Sequence, residues 1–301
     1  MEALDVREDG VYVDCTVGSG GHAVLIARCV KQGRVICLDR DLRSADAARE
    51  RLAQFKFVTV RHRNYAELSE VLQDCDLEAV DGILFDLGLS SLQLDDPCRG
   101  FSFQEDGPLD MRMNTRTGRT AGEYLATVGE QELVHVLKTY GDVGPARRIA
   151  KTILQRRHTH RLRTTRDLAE AVAEALEFVR GVPEETRTVF QAIRIAVNDE
   201  LDSLEQGLRQ AIDALAPAGR LVAISYHSGE DRIVKTMFRE AARVRRELLA
   251  DGRLKREVPP RVKILTRKPV QPTDEEIHRN PRSRSAKLRA VERLEPKEAS
   301  A

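Results

Sequence analysis

The sequence predicts an α/β fold, a doubly wound parallel sheet interrupted by an all-helical insertion. Three observations carry this. From residue 11 to residue 88, short apolar β-branched runs alternate with amphipathic helical patterns. A glycine cluster closes the first run. After a stretch without strand pattern, roughly 108–198, the rhythm resumes at RLVAISY, residues 220–226.

VYVDCTV (11–17) reads as a buried first strand. Gly18, Gly20 and Ala23 follow in the spacing G-x-G-x-x-A, and HAVLIARCVKQG gives a helix stopped by Gly33. RVICLD (34–39), FVTVRH (57–62) and AVDGILFDLG (79–88) are the next strands, with charged amphipathic helices between them. Residues 88–118 are loop-like yet carry Phe101, Phe103, Leu109, Met111 and Met113, so they are expected to bury against a scaffold. Residues 119–180 read as helices broken near Gly129, Gly141–Pro145 and Thr159–Thr165. One long helix is expected from Glu184 to Leu215, another from Glu230 to Ala250, and closing strands at 261–266 and 286–294.

The chain has 301 residues, 41% of them hydrophobic, enough for one large or two modest domains at about 150 residues each. No apolar run approaches the roughly 18 residues of a spanning helix. The opening MEALDVREDG is acidic and resembles no targeting segment, so a cytoplasmic protein is expected. Its five cysteines follow no metal or disulfide pattern and read as reduced thiols; no metal site is expected. Net charge is only +1, but it is segregated. Nine basic residues and one acid lie between Lys138 and Arg166, and five basic residues without an acid between Arg279 and Arg289. A basic face can hide in such a total.

Ligands of open α/β sheets sit beyond the carboxyl ends of the strands. Here those ends carry Gly18–His22, Asp39, Asn64-Tyr65, Asp86 and Tyr226-His227-Ser228. Glycines let the backbone approach a ligand, and a helix N-terminus offers N–H groups to an anion. Asp39 lies 19 residues after Gly20, where a carboxylate can accept both hydroxyls of a ribose. Asp86 ends a buried strand and needs a donor such as an amino group. These features point to an adenosine-bearing cofactor. Alone they leave both NAD, and hence a dehydrogenase, and S-adenosylmethionine open.

VDCTVGSGGH, LDRD, DGILFDLGLSSLQLDDPCRGFSF, DGPLDMRMN, FQAIRIAVNDEL, ISYHSGEDRIVK and NPRSRSAKLRA occur in that order. Together they resemble the bacterial 16S ribosomal RNA small-subunit methyltransferase H family, also called MraW, from about Gly10 to Leu294. The resemblance implies a Rossmann-like class I methyltransferase domain over 1–107 and 199–301, with a helical substrate-recognition domain over 108–198. It implies S-adenosylmethionine as donor and N4 of a decoding-region cytidine in 16S rRNA as acceptor. The partner is then 16S rRNA within the small subunit; a homodimer stays open. A non-catalytic assembly factor is the rival reading.

Carried over by motif, the cofactor contacts fall on Gly20, Gly21, His22, Asp39, Tyr65, Asp86 and Gln93. Tyr65 stands where the family commonly has Phe, and Gly229 turns the usual HSLED into HSGED. Many amino methyltransferases follow their acid or Asn with Pro-Pro-aromatic; here Asp86 precedes Leu87-Gly88-Leu89. Asp110 and His227 are the candidates to take the proton lost from N4. Arg147, Arg148, Arg156 and Arg157 are expected to bind RNA phosphates, with His158 and His160 facing the RNA.

Overall fold

The computed structural model describes residues 1–159, 161–177, 181–248 and 254–295. The chain divides into two compact units. One comprises Met1–Gly88 and Leu201–Ala301, the other Leu89–Glu200.

The first unit opens with β1 (Val11–Asp14), α1 (Gly21–Cys29), β2 (Arg34–Asp39), α2 (Leu42–Leu52), β3 (Val58–His62), α3 (Leu68–Gln73) and β4 (Val80–Asp86). The second contains α4 (Ser91–Leu94), α5 (Ala121–Thr127), α6 (Glu130–Gly141), α7 (Ala146–His158), α8 (Thr165–Leu176) and α9 (Glu184–Asn198). There follow α10 (Glu200–Ala214), β5 (Leu215–Ser225), α11 (Ser228–Ala241), β6 (Arg245–Leu248), β7 (Leu254–Val258), β8 (Val262–Ile264), α12 (Asp274–Arg279) and β9 (Lys287–Arg293).

Among the described residues, seven strands form one sheet in the order β3-β2-β1-β4-β5-β9-β8. The first five are parallel; β9 runs antiparallel to both β5 and β8. From β1 the chain steps outward to β2 and β3, then crosses back to β4 on the other side. That reversal separates the loops leaving β1 and β4 and opens the crevice where such sheets bind ligands. Each face buries its own apolar cluster, one around Ile36, Leu68, Phe85 and Leu208, the other around Tyr12, Ile26, Val35 and Leu52. β6 and β7 form a separate antiparallel pair.

The helical unit has its own core, including Leu133, Leu137, Ile149, Ile153, Val172 and Ile193. Thr120–Glu123 and Thr164–Asp167 capping boxes start α5 and α8 where the sequence breaks fall. This unit begins at Leu89 rather than near residue 108. The reason is apolar: Phe101, Leu109, Met111 and Met113 are buried in the helical core.

Two helix expectations change. The pattern from Glu184 to Leu215 breaks at Asp199, which takes a left-handed conformation (φ 47°). Asn198 is committed there to Met111 and Met113 backbone groups, and Arg194 bridges the break to Glu200 at 2.8 Å. The helix from Glu230 ends at Ala241, whose carbonyl accepts the Arg261 N–H, and a strand follows. The last two residues of that expected helix, 249 and 250, lie outside the described residues.

No helix among the described residues is long and apolar enough to cross a membrane. The five cysteines are free thiols.

Candidate functional site

The glycine turn is held from below. Gly18 and Gly20 take φ of 52° and 84°, a region that side-chain-bearing residues enter at a cost of about 1–2 kcal/mol. The Gly18 N–H donates to Asp39 Oδ2 at 2.9 Å, and the Asp41 N–H donates to Asp39 Oδ1 at 2.8 Å. Burial pushes the Asp39 carboxyl up to about 6, against these two backbone donors. Each oxygen has spent one acceptor site and keeps another. Gly20 precedes α1 without a side-chain cap, so the first N–H groups of that helix have no capping side chain.

Asp86 is clamped from two sides. The Tyr226 hydroxyl donates to its Oδ1 at 2.9 Å, and His22 Nε2 stands 3.2 Å from its Oδ2. The Asp86 hydrogen bond, opposed by burial, raises the His22 imidazole above its usual range. Burial, with Asp86 adding, raises the Tyr226 hydroxyl. The Asp86 N–H is bound by Thr16 Oγ1 at 2.6 Å, which joins the β1 loop to the end of β4.

Asp14 is the residue that sequence reading passed over. It ends β1, pairs with Cys37 on β2 and Leu84 on β4, and is 1% exposed. Its Oδ1 accepts the Thr16 N–H at 3.2 Å, and its Oδ2 has no hydrogen-bond partner. Burial pushes its carboxyl up to about 7, with Asp86 and Asp39 adding and His22 opposing. The signal was an acid inside an apolar run, a position that natural cores seldom give away.

Tyr65 begins a short 3₁₀ turn capped by Asn64 and packs edge-on to Phe85, centroids 5.4 Å apart. It is 8% exposed, and a methyl group at Gly207 would come within 2.8 Å of its ring. His227 caps α11: its Nδ1 accepts the Glu230 N–H at 3.4 Å, and Glu230 returns a carboxylate to the Tyr226 and His227 N–H groups. A side chain at Gly229 would press on the His227 ring at 3.2 Å.

The other sequence candidates belong to the helical unit. Gln93 is buried and caps α4 through the Ser90 N–H. Asp110 holds Arg112 in two parallel bonds of 2.8 and 2.9 Å. Burial would raise its carboxyl, but the Arg112 bonds and charge hold it below the usual range. On α7, Arg156 is buried and bridges Glu170 and Glu174, while Arg157 donates to the Leu125 and Val128 carbonyls. Arg147, Arg148, Lys151 and His158 form the exposed side of the same helix. His160 lies outside the described residues.

Together the sheet edge brings Gly18, Gly20, Gly21, His22, Asp39 and Asp86 onto the ends of three adjacent strands. A β-carbon at Gly21 would meet nothing within 4 Å, leaving room against the helix N-terminus. Three carboxyls with a single imidazole suit a cofactor that carries positive charge better than a pyrophosphate. No group of three metal-ligating side chains occurs among the described residues. An open α/β sheet whose adjacent strand ends carry a glycine turn, Asp39, Asp86 and Asp14 is the architecture of a nucleoside-cofactor enzyme.

The chain belongs to the MraW methylase family, whose family model matches residues 1–294. It is an S-adenosylmethionine-dependent methyltransferase. The ribosomal RNA small subunit methyltransferase H of Pelobacter propionicus is 46% identical over 307 residues, covering 98% of this chain and 96% of that one. The protein of the same name from Carboxydothermus hydrogenoformans is 44% identical over 306 residues, covering 98% and 95%. Among solved structures, an rRNA methylase from Streptococcus thermophilus covers 98% of this chain and 91% of its own at 11% identity and a TM-score of 0.43.

Proposed function

We propose that this methyltransferase transfers a methyl group from S-adenosylmethionine to the exocyclic N4 of one cytidine in the decoding region of small-subunit ribosomal RNA. The observation that carries the reading is the likeness over nearly the whole chain to proteins named ribosomal RNA small subunit methyltransferase H. The acidic site of the first unit supports the donor half of it.

The donor supplies an electrophilic methyl on a sulfonium. Asp39 accepts the ribose hydroxyls on the acceptor sites its backbone partners leave free. The N–H groups of Gly21 and His22, at the uncapped start of α1, would hold the donor's carboxylate, and Tyr65 would border the adenine. Asp86, steadied by Tyr226 and His22, fixes the end of β4 beside them. The cytosine amino group is a weak nucleophile, because its lone pair is shared with the ring. Alignment by rigid groups therefore supplies much of the rate.

The target base must leave its stack to be reached, and the protein must hold the surrounding phosphates. Within α7 the phosphate-binding role falls on Arg147, Arg148 and Lys151, which are exposed, more than on Arg156 and Arg157, whose guanidinium groups are engaged inside the unit. Asp110 and His227 remain proposed proton acceptors. Each would have to loosen its present contacts, with Arg112 or with Glu230, to serve.

The test is incubation with tritium-labelled S-adenosylmethionine and small subunits lacking the modification, followed by mapping of the label. Label on N4 of a decoding-region cytidine is expected. Label elsewhere, or none, sinks the reading. Donor binding without transfer would point to the assembly-factor alternative.

A further inference from the structure

Asp14 adds to the acidic character of the site but has no role of its own derived so far. It is a carboxyl at the end of the central strand, fully enclosed, with one oxygen left without a hydrogen bond. An unmatched buried acceptor is destabilising, so its retention at this place asks for a reason. Its strand neighbours supply the setting. Asp39 lies two residues beyond its β2 partner Cys37, and Asp86 two residues beyond its β4 partner Leu84.

The titratable groups facing it can be named from each element. β2 contributes Cys37 and Asp39, β4 contributes Asp86, α1 contributes His22, and Cys15 follows in the chain. Burial raises both thiols well above their usual range, so they stay neutral. The remaining set is three acids against one imidazole.

We propose that Asp14 reads the charge of the methyl donor: it ionises when a sulfonium occupies the site and not when the uncharged thioether product does, so that donor binding expels a proton. The inference rests on the S-adenosylmethionine reading of this site. S-adenosylmethionine and S-adenosylhomocysteine share the adenosine, the ammonium and the carboxylate. They differ by one methyl group and one positive charge. A positive charge placed over a buried carboxyl favours its ionised form, and by linkage the ionised form favours the cation. A carboxyl pushed up to about 7 is poised to respond at neutral pH, which a carboxylate already ionised would not be.

His22 needs separate treatment, since a cation beside it would also drive off a proton. It is half-exposed and bonded to Asp86, so its share is measured with its own variant.

The experiment is calorimetric titration of the full chain at pH 7 in buffers of different ionisation enthalpy, which counts protons released. S-adenosylmethionine should release on the order of half a proton, and S-adenosylhomocysteine less than about a tenth. Between pH 8 and pH 6 the donor's Kd should rise by up to about tenfold relative to the product's. In Asp14→Asn the proton release and the pH dependence should fall to the share that His22 contributes, while product affinity stays within about twofold and reports an intact fold. In His22→Gln both should persist. Equal proton counts for donor and product in the wild-type protein overturn the proposal, as does release that survives in Asp14→Asn and disappears in His22→Gln. If Asp14→Asn does not fold, the wild-type counts and Kd ratio decide alone. Failure of S-adenosylmethionine to bind at all would overturn the donor reading itself, a different outcome from binding without proton release.

Discussion

The Tyr226 hydroxyl donates to Asp86 Oδ1 at 2.9 Å, across the junction of β4 and β5. It turns the end of one strand into a support for the functional group of its neighbour. With His22 on the other oxygen, the Asp86 carboxylate has little rotational freedom. Tyr226→Phe removes that donor and leaves the ring in place. A hydrogen bond to a charged group contributes about 1.5–3 kcal/mol, so kcat/KM for methyl transfer should fall at least about tenfold. A fall confined to thermal stability, with kcat/KM unchanged, would remove Tyr226 from the site.

Asp14 and Asp39 also set how apo stability depends on pH. The ordinary Asp14 value is 3.8 and the folded one about 7, so between these the folded chain holds a proton that the unfolded chain has lost. Stability from this group is present below about pH 4 and is lost as pH rises toward 7; Asp39, at about 6, acts in the same direction. Asp14→Asn removes the penalty. It should raise apo stability in urea by about 2–4 kcal/mol at pH 8 and by much less at pH 5. A gain of equal size at both pH values would contradict this account.

The turn itself is open to a backbone test. Gly18→Ala forces a β-carbon into a left-handed conformation, costing about 1–2 kcal/mol, and strains the N–H that Asp39 accepts. Weakened S-adenosylmethionine binding is expected, by about tenfold or more in equilibrium titration. Gly21→Ala meets no protein atom within 4 Å, so any loss of affinity there reports crowding of the cofactor.

Arg112 holds the Asp110 carboxyl below the usual range, so it is ionised throughout the neutral region and contributes no limb to a pH–rate profile between pH 6 and 9. Asp110→Asn should lower the rate without moving that profile. A profile that shifts on this substitution would contradict an Asp110 carboxyl held ionised by Arg112.

On α7, two kinds of arginine should separate in one experiment. Replacing Arg147, Arg148 and Lys151 by alanine should weaken RNA binding and flatten its salt dependence by roughly 0.7–0.9 per lost phosphate contact. Arg156→Ala leaves Glu170 and Glu174 without their partner and empties a buried position, so it should cost about 1–3 kcal/mol of stability. If Arg156→Ala alone changes the salt slope in a folded protein, the division is wrong.

Much of this arrangement was legible in the sequence. Strand period and glycine spacing placed Gly18, Gly20, Asp39 and Asp86 at one edge of a sheet, because those signals are local. The break at Asp199 was not legible. It depends on Asn198 bonding to Met111 and Met113, some 85 residues earlier in the chain. The engagement of Arg156 and Arg157 was hidden for the same reason: a run of basic residues looks alike whether its charges face water or each other's partners. Asp14 was hidden because an acid in an apolar run shows only in three dimensions which of its oxygens has been left over.

The strand order also constrains how the chain assembles during synthesis. Among the described residues, β8 joins the sheet only through β9, and β5 has β9 as its outer neighbour. β4 must likewise wait for β5 while the whole helical unit is made between them. At about 5–20 residues per second, β4 leaves the ribosome several seconds before its partner. During that interval its outer edge is a bare template for other chains. A methyltransferase of this architecture should therefore depend on nascent-chain chaperones, and chains stopped before Lys287 should aggregate with an unfinished sheet.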